Sequence, residues 1–230
     1  MSSIIVTGAS GNLGRAIVDK FLSLGYRVMG TVIPNDPVPI EIGDPKFSKI
    51  TVDLGDENVA GKFVQSCIQS NNAIEAAVLT VGGFAMGKIA DTTSADIFKQ
   101  YRLNFETAYH VARPIFQQML QQGYGRIFLI GSRPGLDMHN SKGMVAYGLT
   151  KSLLFRLAEL MNDEAKGKNV VVSVVVPSTI DTPQNRKSMP KADPSKWVKP
   201  ESIADVIAFY CSEEASILRE PVIKVYGESQ

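Results

Sequence analysis

Tyr147 and Lys151, four residues apart, are the two side chains of this sequence whose types and spacing best suit proton transfer. At that spacing on a helix, the phenol and the ammonium share one face. The ordinary pKa of tyrosine is about 10, so proton transfer near neutral pH requires a shift of roughly 2 to 3 units, or about 3 to 4 kcal/mol. An ammonium about 4 to 5 Å away supplies roughly that much at an effective dielectric constant near 20. The pair therefore predicts a tyrosine that donates and accepts a proton.

This spacing also fits a tyrosine that merely packs its ring beside a snorkelling lysine. None of the other six tyrosines has a lysine four residues further on, and the pair follows a predicted strand that ends near Ser132. A glycine loop at the start of the chain favours the catalytic alternative.

Gly8, Gly11 and Gly14 follow the first predicted strand and open the first predicted helix. Glycines in such a loop let the backbone turn tightly and approach a pyrophosphate, and the third lets helix and strand pack closely. The N-terminus of the helix favours anionic oxygens. A plain strand-to-helix turn is the alternative, but the position of the loop favours a dinucleotide site.

Strand-length apolar runs alternate with helical patterns along the chain, which predicts an α/β fold with a doubly wound parallel sheet in one domain, residues 1–230. The predicted strands are Ile4–Thr7, Tyr26–Val32, Lys49–Val52, Ala76–Val81, Arg126–Gly131, Val170–Val176 and Val222–Val225. The predicted helices are Asn12–Leu24, Asn58–Gln69, Asp96–Gln122, Tyr147–Ala165 and Glu201–Ser212. The stretch Pro177–Pro200 contains five prolines and predicts an irregular substrate loop at about 177–200, or alternatively a rigid surface loop.

Composition and charge argue against several classes of function. The net charge of +1 offers no basic surface for nucleic acid, and two cysteines form neither a disulfide framework nor a metal-type spacing, so we expect no metal site. No apolar run approaches the length of a membrane span, and the N-terminal residues do not resemble a signal peptide, so we expect a cytoplasmic protein.

The residues after the second strand bear on cofactor preference. A carboxylate at the end of this strand favours NAD because it binds the ribose hydroxyls. Here no acid occurs before Asp36, and no arginine stands ready for a 2′-phosphate, so NAD and NADP both remain open with a slight lean to NADP. Asp53, after the third strand, is placed either to reach the adenine edge or to cap the next helix.

In their order, these motifs resemble the short-chain dehydrogenase/reductase family over nearly the whole chain. The matching positions are the loop Thr7–Gly14, the turn Thr80–Gly83, Asn104, Ser132, Tyr147, Lys151 and the turn Pro177–Thr182. Two positions depart from the family pattern: Asn12 stands where a glycine is usual, and Ser132 lies about two residues further from Tyr147 than usual.

The resemblance implies a role for each catalytic residue. Tyr147 is the general acid and base, and Lys151 binds the nicotinamide ribose and lowers the tyrosine pKa. Ser132 orients the substrate carbonyl, with Ser141 as an outside candidate, and Asn104 supports a water-linked proton relay. The implied cofactor contacts, besides Lys151, are Gly8, Ser10, Asn12, Leu13, Gly14, Asp53, Leu54, Val81, Gly82, Pro177, Thr179, Ile180 and Thr182.

We therefore expect an NAD(P)-dependent oxidoreductase that transfers a hydride between nicotinamide and a carbonyl or alcohol carbon of a small molecule. A non-catalytic NAD(P)-binding sensor or scaffold is the alternative. Pterin reduction is a lesser one, suggested by Gly143–Gly148 and Asp181–Pro190. An epimerase or dehydratase of the family's extended branch is opposed by length, because the chain ends just after the last strand. Candidates to line an apolar substrate pocket are Phe84, Met138, Met144, Met189 and Trp197.

Surplus apolar width on two helices predicts an oligomer. The middle helix carries Phe98, Tyr101, Phe105, Tyr109, Ala112 and Phe116, and the helix of Tyr147 carries Leu149, Leu153, Leu157, Leu160 and Met161. Leu154, Phe155 and Ala158 widen the second set beyond one buried face. A two-fold contact removes such surplus from water, so we expect a homodimer or a homotetramer, with these two helices at the interface.

Overall fold

The computed structural model describes residues 2–71, 73–137 and 141–228. Its seven strands all run parallel in one sheet, in the order β3-β2-β1-β4-β5-β6-β7. The strands are β1 (Ser3–Thr7), β2 (Arg27–Val32), β3 (Phe47–Thr51), β4 (Ala76–Leu79), β5 (Tyr124–Ile130), β6 (Asn169–Pro177) and β7 (Val222–Val225). The predicted fold class is confirmed, and all seven predicted strands are present within a few residues of their expected ends.

Helices join the strands and cover both faces of the sheet. They are α1 (Asn12–Ser23), α2 (Glu57–Ser70), α3 (Ser94–Tyr101), α4 (Thr107–Gln122), α5 (Arg133–Leu136), α6 (Val145–Glu164), α7 (Pro183–Ser188) and α8 (Pro200–Tyr210). A π-helical segment, Arg102–Glu106, links α3 to α4, and a 3₁₀ turn spans Pro194–Lys196.

Two hydrophobic cores lie on opposite sides of the sheet, because successive strand residues point to opposite faces. Ile5 packs with residues of α2, α4 and α6, whereas Ile4 packs with residues of α1 and α8. Both isoleucines are fully buried. This two-sided burial explains why most of the strands are runs of Val, Ile and Leu, whereas β3 at the edge of the sheet carries Ser48 and Lys49 and is partly exposed.

The chain order of the strands reverses beside β1, which pairs with β2 on one side and with β4 on the other. In open α/β sheets, ligands bind in the crevice outside the carboxyl ends of the strands at such a reversal. The glycine loop leaves β1 at this edge, and the turn Thr80–Gly83 leaves β4 beside it. The topology therefore places both motifs at one crevice.

Two predicted elements differ from the structure. The middle helix is not continuous over Asp96–Gln122, because the π-helical segment Arg102–Glu106 interrupts it. The stretch Pro177–Pro200 is not irregular throughout, since it contains α7, which Thr182 caps by accepting a hydrogen bond from the Asn185 N–H. Thr182 and Pro183 form a local helix-start signal that the sequence interpretation passed over.

Candidate active site

The glycine loop between β1 and α1 has a geometry that requires glycine at two positions. Gly8 has φ +64°, in the left-handed region, and a Cβ there would lie 3.0 Å from Thr80 Oγ1. A Cβ on Gly14 would lie 2.1 Å from the carbonyl oxygen of Gly8, so α1 approaches the loop more closely than a side chain permits. This cradle at a helix N-terminus fits the pyrophosphate of a dinucleotide.

Threonines at the ends of neighbouring strands hold the loop in place. The Gly8 N–H donates to Thr31 Oγ1 at 3.2 Å, which ties the loop to β2. The Thr80 hydroxyl donates to the Thr7 carbonyl oxygen at 2.6 Å, and the Thr80 N–H donates to Thr7 Oγ1 at 3.0 Å. These bonds fix the ends of β1, β2 and β4 relative to one another and so shape the crevice.

A cavity of about 980 Å³ begins at this loop and extends along the carboxyl ends of β2, β3 and β4. Its volume lies at the upper end of the range for ligand and cofactor sites. Four of the expected cofactor residues lie outside its lining: Pro177, Thr179 and Ile180, at the end of β6 and just beyond it, and Lys151 on α6. Ten others line it: Gly8, Ser10, Asn12, Leu13, Gly14, Asp53, Leu54, Val81, Gly82 and Thr182.

Tyr147 and Lys151 lie one turn apart near the start of α6, as predicted. The Tyr147 phenol is hydrogen-bonded to the Ser132 side chain, and the Phe84 ring packs edge-on against it with 5.0 Å between ring centroids. The Lys151 side chain is buried, and its ammonium donates to the Ile130 carbonyl oxygen at 2.7 Å. The structure thus brings together Ser132, Tyr147 and Lys151 where β5 ends and α6 begins.

Ser132 and Ser141 occupy different environments. Ser132 also caps α5, because its Oγ accepts a hydrogen bond from the Gly135 N–H at 3.3 Å. The Ser141 hydroxyl donates to the Asp137 carbonyl oxygen at 2.9 Å. The hydrogen bond with the Tyr147 phenol therefore favours Ser132 over Ser141 as the serine of the site.

Burial dominates the titration of Tyr147 in this structure. Desolvation raises the pKa of Tyr147 above its ordinary 10, and the hydrogen bond with Ser132 partly lowers it. Desolvation also lowers the pKa of Lys151 to about 8. The predicted lowering of the Tyr147 pKa by Lys151 is wrong for this structure, because burial raises that pKa and the Lys151 ammonium is directed at the Ile130 carbonyl oxygen.

Asn104 lies buried inside the π-helical segment, an irregularity that often occurs at functional sites. Its amide holds both backbone groups of Gly83: Oδ1 accepts from the N–H at 2.8 Å, and Nδ2 donates to the carbonyl oxygen at 3.1 Å. Nδ2 also lies 2.8 Å from Gln100 Oε1 and 3.3 Å from Thr150 Oγ1. Asn104 therefore joins the turn after β4 to the middle helix and to α6.

Gly82 lies between the cavity and two of the candidate catalytic residues. It lines the cavity, and a Cβ there would lie 2.8 Å from Asn104 Oδ1 and 3.2 Å from Lys151 Nζ. A ligand that extends through the cavity to Gly82 thus comes close to Asn104 and to Lys151, which lies one helical turn from Tyr147. This contiguity is what a single extended cofactor requires.

At the end of β3, the structure excludes one of the two interpretations of Asp53. Asp53 lines the cavity, and its carboxylate accepts from the Gly55 N–H at 2.9 Å. The cap of α2 is Asp56, which accepts from the N–H groups of Asn58 and Val59. The helix-cap alternative for Asp53 is therefore wrong.

The stretch Pro177–Pro200 lies beside the same cavity, and its own side chains stabilise it. Arg186 donates to both oxygens of Asp181, at 2.6 and 2.8 Å, and Asn185 donates to the Ile180 carbonyl oxygen at 2.8 Å. The Asn12 amide donates to Gln184 Oε1 at 2.9 Å, which joins α7 to the glycine loop. Asn12, the departure from the family pattern, thus contacts the predicted substrate loop directly.

Several cavity residues escaped the sequence analysis, because no local pattern marks them. Asp36 lies after β2 and hydrogen-bonds to Ser10, which requires a turn that sequence spacing does not reveal. The other missed residues include Thr31, Ile33, Phe98, Lys99, Arg102, Leu103 and Thr107.

Among the described residues, no group of three His, Cys, Asp or Glu side chains could hold a metal ion. No described helix combines the length and the apolar character of a membrane span.

Comparison with known proteins gives consistent matches. A family model described as short chain dehydrogenase matches residues 2–193. A cyclic-di-GMP-binding biofilm dispersal mediator protein of Escherichia coli is 25% identical over 224 residues, which cover 94% of this chain and 92% of that protein. An acetoacetyl-CoA reductase of Acinetobacter is 23% identical over 240 residues, which cover 97% and 95%. A short-chain type dehydrogenase/reductase structure from Mycobacterium ulcerans superposes with a TM-score of 0.87 at 21% identity, covering 99% of this chain and 89% of that one.

Proposed function

The chain belongs to the short-chain dehydrogenase/reductase family of oxidoreductases, and from this premise we propose that it transfers a hydride between NAD or NADP and a carbonyl or alcohol carbon of a small molecule, with Tyr147 as general acid and base. One observation carries the proposal. The cavity of the glycine loop reaches Gly82, which lies beside Lys151 and Asn104, and Lys151 is one helical turn from Tyr147.

The residues that would hold the cofactor fit its parts. The cradle of Gly8 and Gly14 suits the pyrophosphate, and Asp53 and Leu54 line the adenosine end. Lys151 lies at the other end, where its ammonium can exchange the Ile130 carbonyl for ribose hydroxyls. When bound, the nicotinamide supplies the hydride. Further contacts in this proposal come from Ser10, Asn12, Leu13, Val81, Gly82, Pro177, Thr179, Ile180 and Thr182.

The protein supplies the proton. In reduction, the Tyr147 phenol protonates the developing alkoxide, a general-acid role that contributes about 10²- to 10⁴-fold. The Tyr147 pKa lies above its ordinary 10 in this structure, so the phenol holds its proton near neutral pH but is a weaker acid than the proposed role favours. Ser132 shares a hydrogen bond with the phenol, so a carbonyl oxygen bound to one hydroxyl lies within reach of the other.

The substrate would bind beside Phe84 and the loop 177–200. Phe84 forms an apolar wall against Tyr147, and Met86 next to it is 65% exposed. Met144 joins this region through the bridge between its backbone and Gly87, whereas the candidate Met138 lies outside the described residues. The relative named acetoacetyl-CoA reductase makes 3-oxoacyl thioesters the first substrates to test.

The resemblance to pterin reductases supports a shared loop shape more than a shared substrate. Within Asp181–Pro190, the cap at Thr182, the bond of Asn185 to Ile180 and the ion pair of Arg186 all stabilise α7 itself. These contacts account for the residue types without any substrate. Pterin reduction therefore stays the lesser candidate.

We also propose that the protein assembles as a homodimer, or as a tetramer of such dimers, through the middle helix and α6. The face of α6 that points to the core differs from the predicted one, since Leu154, Leu157, Ala158 and Met161 are buried. Leu149, Leu153 and Leu160 are instead 53%, 39% and 49% exposed. On the middle helix, the stacked rings of Tyr101, Phe105 and Tyr109 are half-buried.

Substitution of Tyr147 tests the catalytic proposal. We expect Tyr147→Phe to lose at least about 10²-fold in kcat/KM for a carbonyl substrate, because it removes only the transferable proton. Cofactor affinity, measured by calorimetry, should stay within about twofold. Tyr109→Phe is the matched control, since it makes the same change in a ring stack on the middle helix. Retained turnover in Tyr147→Phe would remove Tyr147 as the general acid and base. Nucleotide binding by the wild type without turnover of any carbonyl compound would favour the non-catalytic sensor instead.

A further inference from the structure

We propose that Asp36 makes this protein select NAD over NADP, by accepting a hydrogen bond from the 2′-hydroxyl of the adenosine ribose and repelling a 2′-phosphate. This inference rests on the proposed function, because it concerns the cofactor which that function requires. It reverses the lean to NADP that the sequence suggested, and the reason lies in the path of the chain after β2.

A tight turn brings Asp36 back from the end of β2 to the glycine loop. The strand ends at Val32, and the Asp36 N–H donates to the Ile33 carbonyl oxygen at 3.2 Å. Asn35, within this turn, has φ +58° and is the single non-glycine residue with positive φ in the described ranges. Asparagine tolerates the left-handed region better than most residues, and strained backbone of this kind concentrates at functional sites.

The turn places the Asp36 carboxylate in the wall of the cavity and orients it. The Ser10 hydroxyl donates to Asp36 Oδ2 at 2.5 Å, and the Val38 N–H donates to Oδ1 at 2.9 Å. Both Ser10 and Asp36 line the cavity. The hydrogen bond from Ser10 lowers the pKa of Asp36, so the group is an anion at neutral pH. A carboxylate has about four acceptor positions, so two protein donors leave room for a ribose hydroxyl.

Prolines restrict the segment that carries this carboxylate. Pro34 precedes Asn35 and Pro37 follows Asp36, and each fixes its own φ while biasing the residue before it toward extended backbone. The carboxylate is thus held in place before any ligand binds, which favours discrimination between ligands.

The strand-end position that usually carries such an acid does not serve this purpose here. Val32 is buried in the core between the sheet and α1, so a carboxylate at that position would enter the core and not the cavity. Ile33, which lines the cavity, is 58% exposed and apolar. Asp36 is therefore the acid of the β2 side of the cavity, next to the glycine loop, where the adenosine ribose binds in this fold.

Two positively charged side chains of the cavity are the reason why the opposite preference, for NADP, has to be tested. Lys99 and Arg102, on α3 and the π-helical segment, also line the cavity. If either of them bound a 2′-phosphate, NADP would bind more tightly than NAD in spite of Asp36. The inference is decided by measuring both affinities directly.

The test is isothermal titration calorimetry of the full-length protein with NADH and with NADPH. We expect the wild type to bind NADH at least about tenfold more tightly, because the Asp36 carboxylate beside a 2′-phosphate is an unfavourable like-charge contact. In Asp36→Asn, the NADPH affinity should rise, the NADH affinity should fall, and their ratio should move at least about tenfold toward NADPH.

Asp44→Asn is the matched control. Asp44 lies in the same connection between β2 and β3, accepts from the backbone N–H two residues further on at 2.8 Å, and lies outside the lining of the cavity. The Asp44→Asn substitution removes the same charge and should leave the ratio of the NADH and NADPH affinities unchanged. Asp36→Ser serves as a second variant if Asp36→Asn melts at a markedly lower temperature.

The outcomes separate this inference from the proposed function. Equal or tighter binding of NADPH by the wild type overturns the role of Asp36 and leaves the oxidoreductase proposal intact. The same holds if both Asp36 variants keep the wild-type ratio. If neither dinucleotide binds, the proposed function fails and this inference fails with it.

Discussion

The Lys151 ammonium donates to the carbonyl oxygen of Ile130, the last residue of β5, at 2.7 Å, although Tyr147 lies one turn away on the same helix. The side chain is 5% exposed, and the bond to Ile130 is its one hydrogen bond among the described residues. A buried ammonium with one neutral acceptor is poorly compensated for the hydration it has lost. The ammonium lies beside Gly82, which lines the cavity, and in the proposed complex a bound ribose would supply further acceptors.

Replacing this lysine should stabilise the cofactor-free protein while it weakens cofactor binding. Burial lowers the folded pKa of Lys151 to about 8, below its ordinary 10.5, so the wild type gains stability as the pH rises between these values. Lys151→Met lacks the penalty, and at pH 7 we expect it to be more stable by about 1 to 3 kcal/mol. Thermal melts at pH 7, 9 and 10.5 should show the difference shrinking with rising pH.

The matched control for this change is Lys168→Met. Lys168 also donates to a backbone carbonyl, that of Leu120, but it is exposed. Its replacement should change neither the stability at pH 7 nor the affinity for NADH. A Lys151→Met variant that melts below the wild type at pH 7 would contradict the account of a poorly compensated ammonium.

The pH dependence of alcohol oxidation tests whether Ser132 or Ser141 is the serine that acts on Tyr147. Oxidation requires an ionised Tyr147 as base, and the hydrogen bond with Ser132 lowers the pKa of that phenol. Ser132→Ala should raise the pKa, so its kcat/KM for oxidation should rise at a higher pH than in the wild type. Ser141→Ala should leave the profile in place. If Ser141→Ala shifted the pH profile of kcat/KM and Ser132→Ala did not, Ser141 and not Ser132 would be the serine that acts on Tyr147.

The fold was predictable because its signals are local. Apolar strands between amphipathic helices, a glycine loop after β1 and the Tyr147–Lys151 spacing each depend on a few neighbouring residues. The π-helical break in the middle helix was not predictable from local signals. It accompanies the hydrogen bonds between Asn104 and Gly83, which lies 21 residues away in sequence. The position of Asp36 depends on one left-handed residue, Asn35, and no spacing rule reports that conformation.

Asn104 should contribute to both stability and activity, and a second asparagine allows the two to be separated. Asn104→Ala leaves both backbone groups of Gly83 without partners, which costs about 1 to 3 kcal/mol and releases the turn at Gly82. Asn162 holds the N–H and carbonyl oxygen of Val172 in the same way, away from the site. Both alanine variants should melt at lower temperature, but Asn104→Ala alone should lose NADH affinity and kcat/KM. Equal kinetic losses would make Asn104 a purely structural residue.

Assembly is tested through the exposed leucines of α6. If α6 pairs across a two-fold axis, Leu149 and Leu153 lie at the interface, and a carboxylate at either position would have to be buried against a second copy. We expect the double variant Leu149→Glu, Leu153→Glu to weaken the dimer by at least about a hundredfold, since burying an unpaired charge costs several kcal/mol. Leu24→Glu is the control, because Leu24 is 51% exposed at the end of α1, which packs on the opposite face of the sheet. Sedimentation at micromolar concentration should show the wild type and Leu24→Glu as dimers or tetramers and the double variant as a 25.0 kDa monomer. A monomeric wild type would remove the dimer proposal without affecting the assignments at Tyr147, because Tyr147 and its contacts with Ser132 and Phe84 lie within one chain.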